Sequence, residues 1–317
     1  MFNNYVDFFT KTALMDAVAK QPFIPGQLAP LFETRQLDGT HFALEDQASQ
    51  GGAVVAESPR GVPSDTQVLA RNKVHTFDTE HHRQDAALYA DEVLNARAVG
   101  ANATGELIAQ RRDRILSVLR SDMDTTLESK RMTCLLTPDN AFGSKPADAV
   151  VAFQIDATKT RAEIFTKIIK PMEDALGGIA FSGIDLYCSN GIWDDVIENK
   201  NIKDTYLLSL QAQAMRGDPR EMFSWGGINF IRYRSSGSIA VTADKAIAVP
   251  RGVPGMFIQA FAPADTFSSV GVGSLGLPYY VQAYPIDGGD RGWRMEIQTN
   301  AKMVCTRPTA VLTIAMA

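Results

Sequence analysis

Residues 104–136 read TGELIAQRRDRILSVLRSDMDTTLESKRMTCLL, and the neighbouring segments are interpreted around this one. Ile108, Ile115, Leu119, Met123 and Leu127 recur at intervals of seven, four, four and four residues, which places them on one face of an α-helix. The charged residues between them are expected to face solvent: Arg111, Arg112, Asp113, Arg114, Arg120, Asp122, Asp124 and Glu128. A helix of about thirty residues is about 45 Å long. A rod of this length favours a structural role over a catalytic one.

Composition indicates a folded protein of about two domains. The chain has 317 residues, of which 45% are hydrophobic and 21% charged, so it can build a sizeable core. The net charge of −5 argues against tight binding of nucleic acid over the whole surface. No segment approaches the roughly 18 uninterrupted apolar residues of a membrane-spanning helix. The three cysteines are far apart and are expected to be reduced.

The first eighty residues predict an arm and a hairpin. Residues 9–18 have helical spacing, and the prolines at 22, 25 and 30 then enforce an extended segment. Residues 36–46 and 66–78 alternate like strands, and residues 47–65 between them are rich in Gly, Ser and Pro. Neither piece has enough internal contacts to hold itself in place. We therefore expect the arm to lie on its own domain or on a neighbouring copy, and the hairpin to pack on something outside the domain.

The rest of the chain predicts a mixed α/β body. Helices are expected at residues 85–98, 158–176 and 192–199. Strands are expected at residues 150–155, 184–188, 223–234, 238–249, 256–262, 279–284, 293–299 and 310–315. Residues 235–237 are expected to join two of these strands in a turn.

No set of residues predicts an active site. Residues 271–276 read GVGSLG and match the G-x-G-x-x-G pattern, but a proline and a strand follow where a dinucleotide fold needs a helix. The histidines at 81 and 82 are adjacent, which is a poor spacing for a metal clamp. We therefore expect no catalytic residue, no cofactor site and no metal site.

Several stretches, taken in order, resemble the capsid protein E family, the major capsid proteins of lambda-like tailed bacteriophages. The resemblance extends from about residue 21 to the C-terminus and depends on the order of the stretches rather than on one motif. They are PLFET at 30–34, ESPRG at 57–61, KVHTF at 73–77, FSWGGINF at 223–230, AVPRGV at 248–253 and GWRMEIQTN at 292–300, with Arg307-Pro308 before a last strand.

The resemblance implies an α+β tailed-phage major-capsid fold, which herpesvirus capsids share. It divides the chain into an N-arm at residues 1–35 and an extended β-hairpin, the E-loop, at residues 36–80. A peripheral domain with a long spine helix would follow at 81–145 and an axial domain at 146–275. Strands returning to the peripheral domain would occupy residues 276–317.

The same resemblance implies a non-enzymatic structural subunit. Such subunits self-assemble into hexamers and pentamers, which form the icosahedral head shell around phage double-stranded DNA and touch that DNA weakly and non-specifically. A portal is an expected partner and a decoration protein a further candidate. Because the chain begins close to the arm, a separate scaffold protein is also expected. The protein would assemble in the host bacterial cytoplasm and reside in the virion. Inter-subunit contacts are expected at Phe32, Arg60, Phe77, Arg111, Arg112 and Arg114.

Two alternatives stay open at this point. A cellular compartment shell could have the same fold. A nucleotide-dependent enzyme, from a different class of protein, would use the loop at residues 271–276.

Overall fold

The structure is a computed structural model. It describes residues 6–20, 26–46, 73–98, 104–151, 153, 160–207, 222–234, 241, 245–269, 275–289 and 291–316. Within these ranges, no helix has the length and apolar character needed to cross a membrane.

The helices include the long one that the sequence predicts. They are α1 (Lys11–Ala19), α2 (Ala90–Ala98), α3 (Thr104–Leu136), α4 (Thr160–Ile164), α5 (Lys170–Leu176), α6 (Asn190–Glu198) and α7 (Lys200–Leu207). A π-helical turn, Phe165–Ile169, joins α4 to α5, so residues 160–176 form one continuous helical segment. Gly177 ends it with a φ of 60°, a left-handed conformation that glycine adopts readily.

The strands form two larger sheets and a hairpin. They are β1 (Glu33–Gln36), β2 (His41–Glu45), β3 (Val74–Asp78), β4 (Glu80–Tyr89), β5 (Ala149–Val151), β6 (Gly183–Cys188), β7 (Phe223–Trp225), β8 (Ile228–Arg232), β9 (Lys245–Arg251), β10 (Phe257–Phe261), β11 (Tyr280–Ile286), β12 (Gly292–Cys305) and β13 (Leu312–Met316). The five-stranded sheet has the order β1-β10-β12-β11, with β4 also pairing with β12. The six-stranded sheet has the order β5-β13-β9-β6-β8-β7, and β2 pairs with β3 alone.

The long helix α3 forms where the sequence predicts it, but its buried face differs slightly from the predicted one. Leu116 is fully buried, whereas Ile115 is only half-buried at the edge of the apolar face. The expectation that Arg112 and Glu128 face solvent is wrong, because both side chains are buried against other parts of the chain. Arg112, for example, donates a hydrogen bond of 2.8 Å to the carbonyl of Phe8.

The predicted helix at residues 85–98 is wrong in its first part. Residues up to Tyr89 belong to β4, which pairs antiparallel with β12 from Glu80 to Tyr89. Leu88 is buried in the cluster that also contains Leu116 and Leu119 of α3. Pairing with a distant strand therefore overrides the local helical spacing, and the helix begins only at Ala90.

The predicted strand at 223–234 is two strands with a Gly226-Gly227 turn between them, where φ is 63° and 86°. The expected connection at 235–237 lies outside the described residues. The strands on either side of that connection do not pair with each other, since β6 lies between β8 and β9. This arrangement makes β6 a central strand, which agrees with its nearly complete burial.

Two strands pair across the predicted boundary between residues 275 and 276, and the division into domains stays a prediction. Strand β10 falls inside residues 146–275 yet belongs to the five-stranded sheet with β12. Strand β13 falls inside residues 276–317 yet pairs with β5 and β9 of the six-stranded sheet. The C-terminal strands therefore serve both sheets.

The described parts of the arm pack on their own chain. Phe9 stacks on Trp293 with ring centroids 4.7 Å apart, and Leu14 is fully buried where α1 packs on α3 and β11. Phe32 packs on Phe257 in the main core. The described residues of the arm therefore lie on their own chain, which is one of the two supports expected for it. The predicted hairpin tip, within residues 47–72, lies outside the described residues.

Candidate inter-subunit surfaces and the arm junction

A buried polar cluster holds the arm against the spine helix. Glu128 of α3 accepts hydrogen bonds from the backbone N–H of Leu28, at 2.9 Å, and from the hydroxyl of Tyr233, at 3.3 Å. Arg131, one turn further along α3, pairs with Glu128 at 3.2 Å and donates to the side-chain carbonyl of Gln259 at 3.1 and 2.9 Å. We call these five residues the arm junction.

The arm junction links four parts of the fold through charges that water barely reaches. Glu128 and Arg131 are both buried, so each depends on the other and on its hydrogen-bond partners. Burial raises the pKa of the Tyr233 hydroxyl, and the negative charge of Glu128 raises it further, which keeps that hydroxyl protonated as a donor. A Cβ on Gly26 would lie 1.9 Å from the Glu128 carboxylate, so the arm approaches as closely as glycine permits.

The base of the predicted hairpin is fixed by a second set of contacts. Leu44 of β2 and Phe77 of β3 are buried in one cluster with Ile258 and Val304 of the five-stranded sheet. The antiparallel pairing of β2 with β3 confirms the hairpin at its base. The described part of the hairpin is thus anchored within its own subunit.

Glu80 ties the start of β4 to two neighbouring elements. It binds Lys130 of α3 at 2.5 Å and Lys302 of β12 at 3.0 Å. Burial alone would raise the pKa of Glu80, but the hydrogen bonds from the two lysines outweigh it and hold that pKa below the ordinary value. The chain therefore passes from β3 directly to a residue that is held by two ion pairs.

The described residues among the six predicted inter-subunit contacts differ in exposure. Phe32, Phe77 and Arg112 are buried within their own chain, so these side chains offer little area to a neighbour. On α3, Arg114 is exposed and Arg111 half-buried, and both stay predictions as contacts. Arg60 lies outside the described residues.

The glycine-rich loop has a packing role at its described end. Gly276 donates a backbone hydrogen bond of 2.8 Å to Leu37, and a Cβ at this position would lie 1.9 Å from the carbonyl oxygen of Phe261. Strand β11 follows, and the helix that a dinucleotide site requires is not in the described residues after this loop. Residues 271–274 lie outside the described part of the chain.

The histidines contact ordinary polar neighbours. Nδ1 of His41 lies 2.6 Å from the Asp78 carboxylate, and Nδ1 of His81 lies 2.5 Å from the side-chain oxygen of Asn300. Burial lowers the pKa of His82. Within the described ranges, no group of three or more His, Cys, Asp or Glu side chains is arranged to hold a metal ion.

Large apolar side chains lie on the surface of the single chain. Phe267 is the extreme case, with 96% of its surface exposed. Others that are more than half exposed are Val74, Leu94, Val118, Phe165, Met222 and Leu275. Single exposed apolar residues are common on folded proteins, but phenylalanine is enriched at protein–protein interfaces.

Solved structures share this fold at low sequence identity. The mature capsid of bacteriophage PhiM1 matches with 10% identity and a TM-score of 0.55, covering 94% of this chain and 89% of that one. The capsid of the cyanophage P-SCSP1u matches with 10% identity and a TM-score of 0.54, covering 94% and 90%. The capsid of the Myoviridae phage XM1 matches with 9% identity and a TM-score of 0.54, covering 94% of each chain. The fold is thus that of phage capsid proteins.

The family model described as phage major capsid protein E matches residues 10–316. The chain therefore belongs to this family, and its role is structural, as a subunit of a phage capsid. No curated protein matches the sequence.

Proposed function

We propose that this protein assembles into hexamers and pentamers that close an icosahedral shell around phage double-stranded DNA. The observation that carries this proposal is the match of the capsid family to residues 10–316 on a fold shared with phage capsids. The subunit works without catalysis, cofactor or metal. It assembles in the host bacterial cytoplasm with a portal and a separate scaffold protein, and a decoration protein is a further candidate partner.

The arrangement of contacts supports a preformed building block. The arm junction and the hairpin base hold the described parts of the arm and hairpin on their own subunit. A rigid subunit loses less conformational entropy on association than one whose segments order only at the interface. Assembly then depends mainly on surfaces that remain exposed, such as the one around Phe267.

Contact with the packaged DNA is expected to be weak. The chain carries a net charge of −5, and some described Arg side chains are paired with carboxylates, as in Arg294 with Asp85 and Arg83 with Glu296. A net negative charge disfavours tight binding to the DNA backbone, because such binding depends on cations that neutralise phosphates.

Assembly of the purified protein tests the proposal. Full-length protein would be concentrated with and without co-expressed scaffold protein, then followed by sedimentation velocity and negative-stain electron microscopy. We expect rings and closed particles that sediment far ahead of the subunit. A species of 34.5 kDa that never associates under either condition would contradict the proposal.

A deletion tests the hairpin. Removing residues 47–65 is expected to leave a folded subunit, because β2 and β3 pair independently of that segment and Asp46 donates a backbone hydrogen bond of 2.8 Å to Lys73. The shortened subunit is expected to fail in completing shells. Normal particles from this variant would show that the segment is dispensable.

A further inference from the structure

Phe267 is displayed on a fixed turn rather than on a loose loop. It lies between β10 and β11 in the 3₁₀ turn Phe267–Ser269, where the backbone N–H of Ser269 donates to Thr266 at 2.8 Å. Just before it, Ala262 and Asn300 are joined by a backbone hydrogen bond of 2.9 Å. The Asn300 side chain also donates to the carbonyl of Pro263 at 2.5 Å. We call residues 262–269 the Phe267 turn.

Covering this exposed ring would be favourable. A phenylalanine side chain gains much of its transfer free energy only when water is removed from it. The ring does not reach any cleft of its own chain, since 96% of its surface is exposed. The described residues leave the ring uncovered, so it is available to another copy of this chain.

The same chain carries a cleft of suitable size. It has a volume of about 340 Å³ and lies between the arm and the segment that joins β9 to β10. Its walls include Leu31 from the arm and Val253 and Pro254 from the opposite side. We call this the arm cleft. Its volume is sufficient for a phenylalanine side chain, and its exposed lining combines these apolar side chains with polar surface that includes Arg251.

The charges beside the two features are complementary. Asp265 precedes Phe267 by two residues, is exposed, and forms no ion pair with the described residues. Arg251 lines the arm cleft, with 49% of its side chain exposed and only a 3.8 Å contact to Asp185. Glu33, the acidic residue of the cleft, is already paired with Arg35 at 3.4 Å.

We propose that Phe267 of one subunit inserts into the arm cleft of a neighbouring copy of this chain, with Asp265 placed beside Arg251. This inference rests on the proposed function, because it names a contact through which capsid subunits associate. The two surfaces are different patches of one chain, so the contact is head-to-tail, which is the kind of contact that builds closed rings of subunits. The arm junction has a second consequence here, since it fixes the arm that forms one wall of the cleft.

Substitutions on the turn test the contact without disturbing the core. Phe267→Ala is expected to keep the wild-type melting temperature, because the ring is exposed. It is expected to raise the protein concentration needed for half-maximal assembly by about tenfold or more, as for an aromatic hot spot. Phe267→Leu, the matched control, keeps an apolar side chain. Its concentration for half-maximal assembly is expected to lie between those of the wild type and Phe267→Ala. Assembly of Phe267→Ala at the wild-type concentration would overturn the inference.

Charge reversal tests the orientation. Asp265→Arg and Arg251→Asp are each expected to weaken assembly, because each places like charges together. The double variant is expected to recover most of the loss. If the double variant assembles no more readily than the single variant that assembles least, the proposed pairing of the two residues is overturned.

Cross-linking separates this inference from the proposed function. Phe267→Cys chains would be mixed with Val253→Cys chains under assembly conditions and then oxidised, while the native Cys134, Cys188 and Cys305 stay buried. We expect a covalent dimer from the mixture and much less from either variant alone. Normal particles without this dimer would overturn the inference and leave the proposed function standing. Absence of particles even from wild-type protein would overturn both.

Discussion

Replacing Glu128 by alanine is expected to loosen the arm and destabilise the whole subunit. The change removes the acceptor for the Leu28 N–H and the Tyr233 hydroxyl, and it removes the carboxylate that faces Arg131. Arg131 then keeps only its hydrogen bonds to Gln259 while 6% of its surface is exposed. An unpaired buried charge is the main cost of this substitution.

The size of the effect follows from this burial. Breaking a buried ion pair by removing one partner costs about 3–5 kcal/mol of unfolding free energy. Replacing both members by apolar residues, as in Glu128→Leu with Arg131→Met, leaves no lone charge and is expected to cost less than Glu128→Ala alone. Comparing the unfolding free energies of the two variants therefore distinguishes the loss of charge pairing from the loss of packing.

Urea unfolding of the full chain at neutral pH measures the cost, and hydrogen exchange at the Leu28 amide reports the arm. We expect Glu128→Ala to lower both the unfolding free energy and the protection of the Leu28 amide from hydrogen exchange. The control is Glu198→Ala, which removes an exposed ion pair with Lys203 and is expected to cost below about 1 kcal/mol. A loss below about 1 kcal/mol for Glu128→Ala, with Leu28 still protected, would refute the reasoning.

Three further predictions concern the helix, the glycine loop and the pH dependence. Leu116→Ala is expected to lower the unfolding free energy by about 2–5 kcal/mol, because the side chain is fully buried; urea unfolding measures this. Gly276→Ala is expected to lower the melting temperature, because the added methyl would lie 1.9 Å from the Phe261 carbonyl oxygen; calorimetry measures this. Glu80→Gln is expected to lower the melting temperature at neutral pH. Since the folded pKa of Glu80 is depressed, its stabilisation is present above the ordinary pKa of 4.5 and is lost as the pH falls through the folded value.

Each of these has a control or a contrary outcome. Val118→Ala, on the exposed side of the same helix, is expected to change stability by about 0.5 kcal/mol or less. Gly39→Ala is expected to be tolerated, because no atom lies within 4 Å of the added methyl. An unchanged melting temperature for Gly276→Ala would remove its packing role. A difference between wild type and Glu80→Gln that persists unchanged in acid would refute the assignment to the lysine pairs.

The local sequence pattern was enough to predict those helices and strands that bury one clear face. The 3.6-residue period predicts α3 with its observed ends, and the apolar runs predict β6 and β10. Sequence could not assign residues 85–89 to a strand, because Ala86 and Leu88 also suit a helix and only the pairing with β12 decides between them.

The arm junction could not be predicted for a related reason. Glu128 and Arg131 are three residues apart on a helix, which is the spacing of an ordinary exposed ion pair. Their burial depends on Leu28, which is 100 residues from Glu128, and on Gln259, which is 128 residues from Arg131. The same limit applies to Phe267, because an isolated apolar residue in a loop gives no signal of its exposure.

Cryo-electron microscopy of particles assembled from the full chain tests the central claim most directly. The account predicts closed shells in which this chain, in its described fold, builds both six-fold and five-fold rings. A protein that stays monomeric at every concentration would contradict it. Particles in which the chain forms neither six-fold nor five-fold rings would also contradict it.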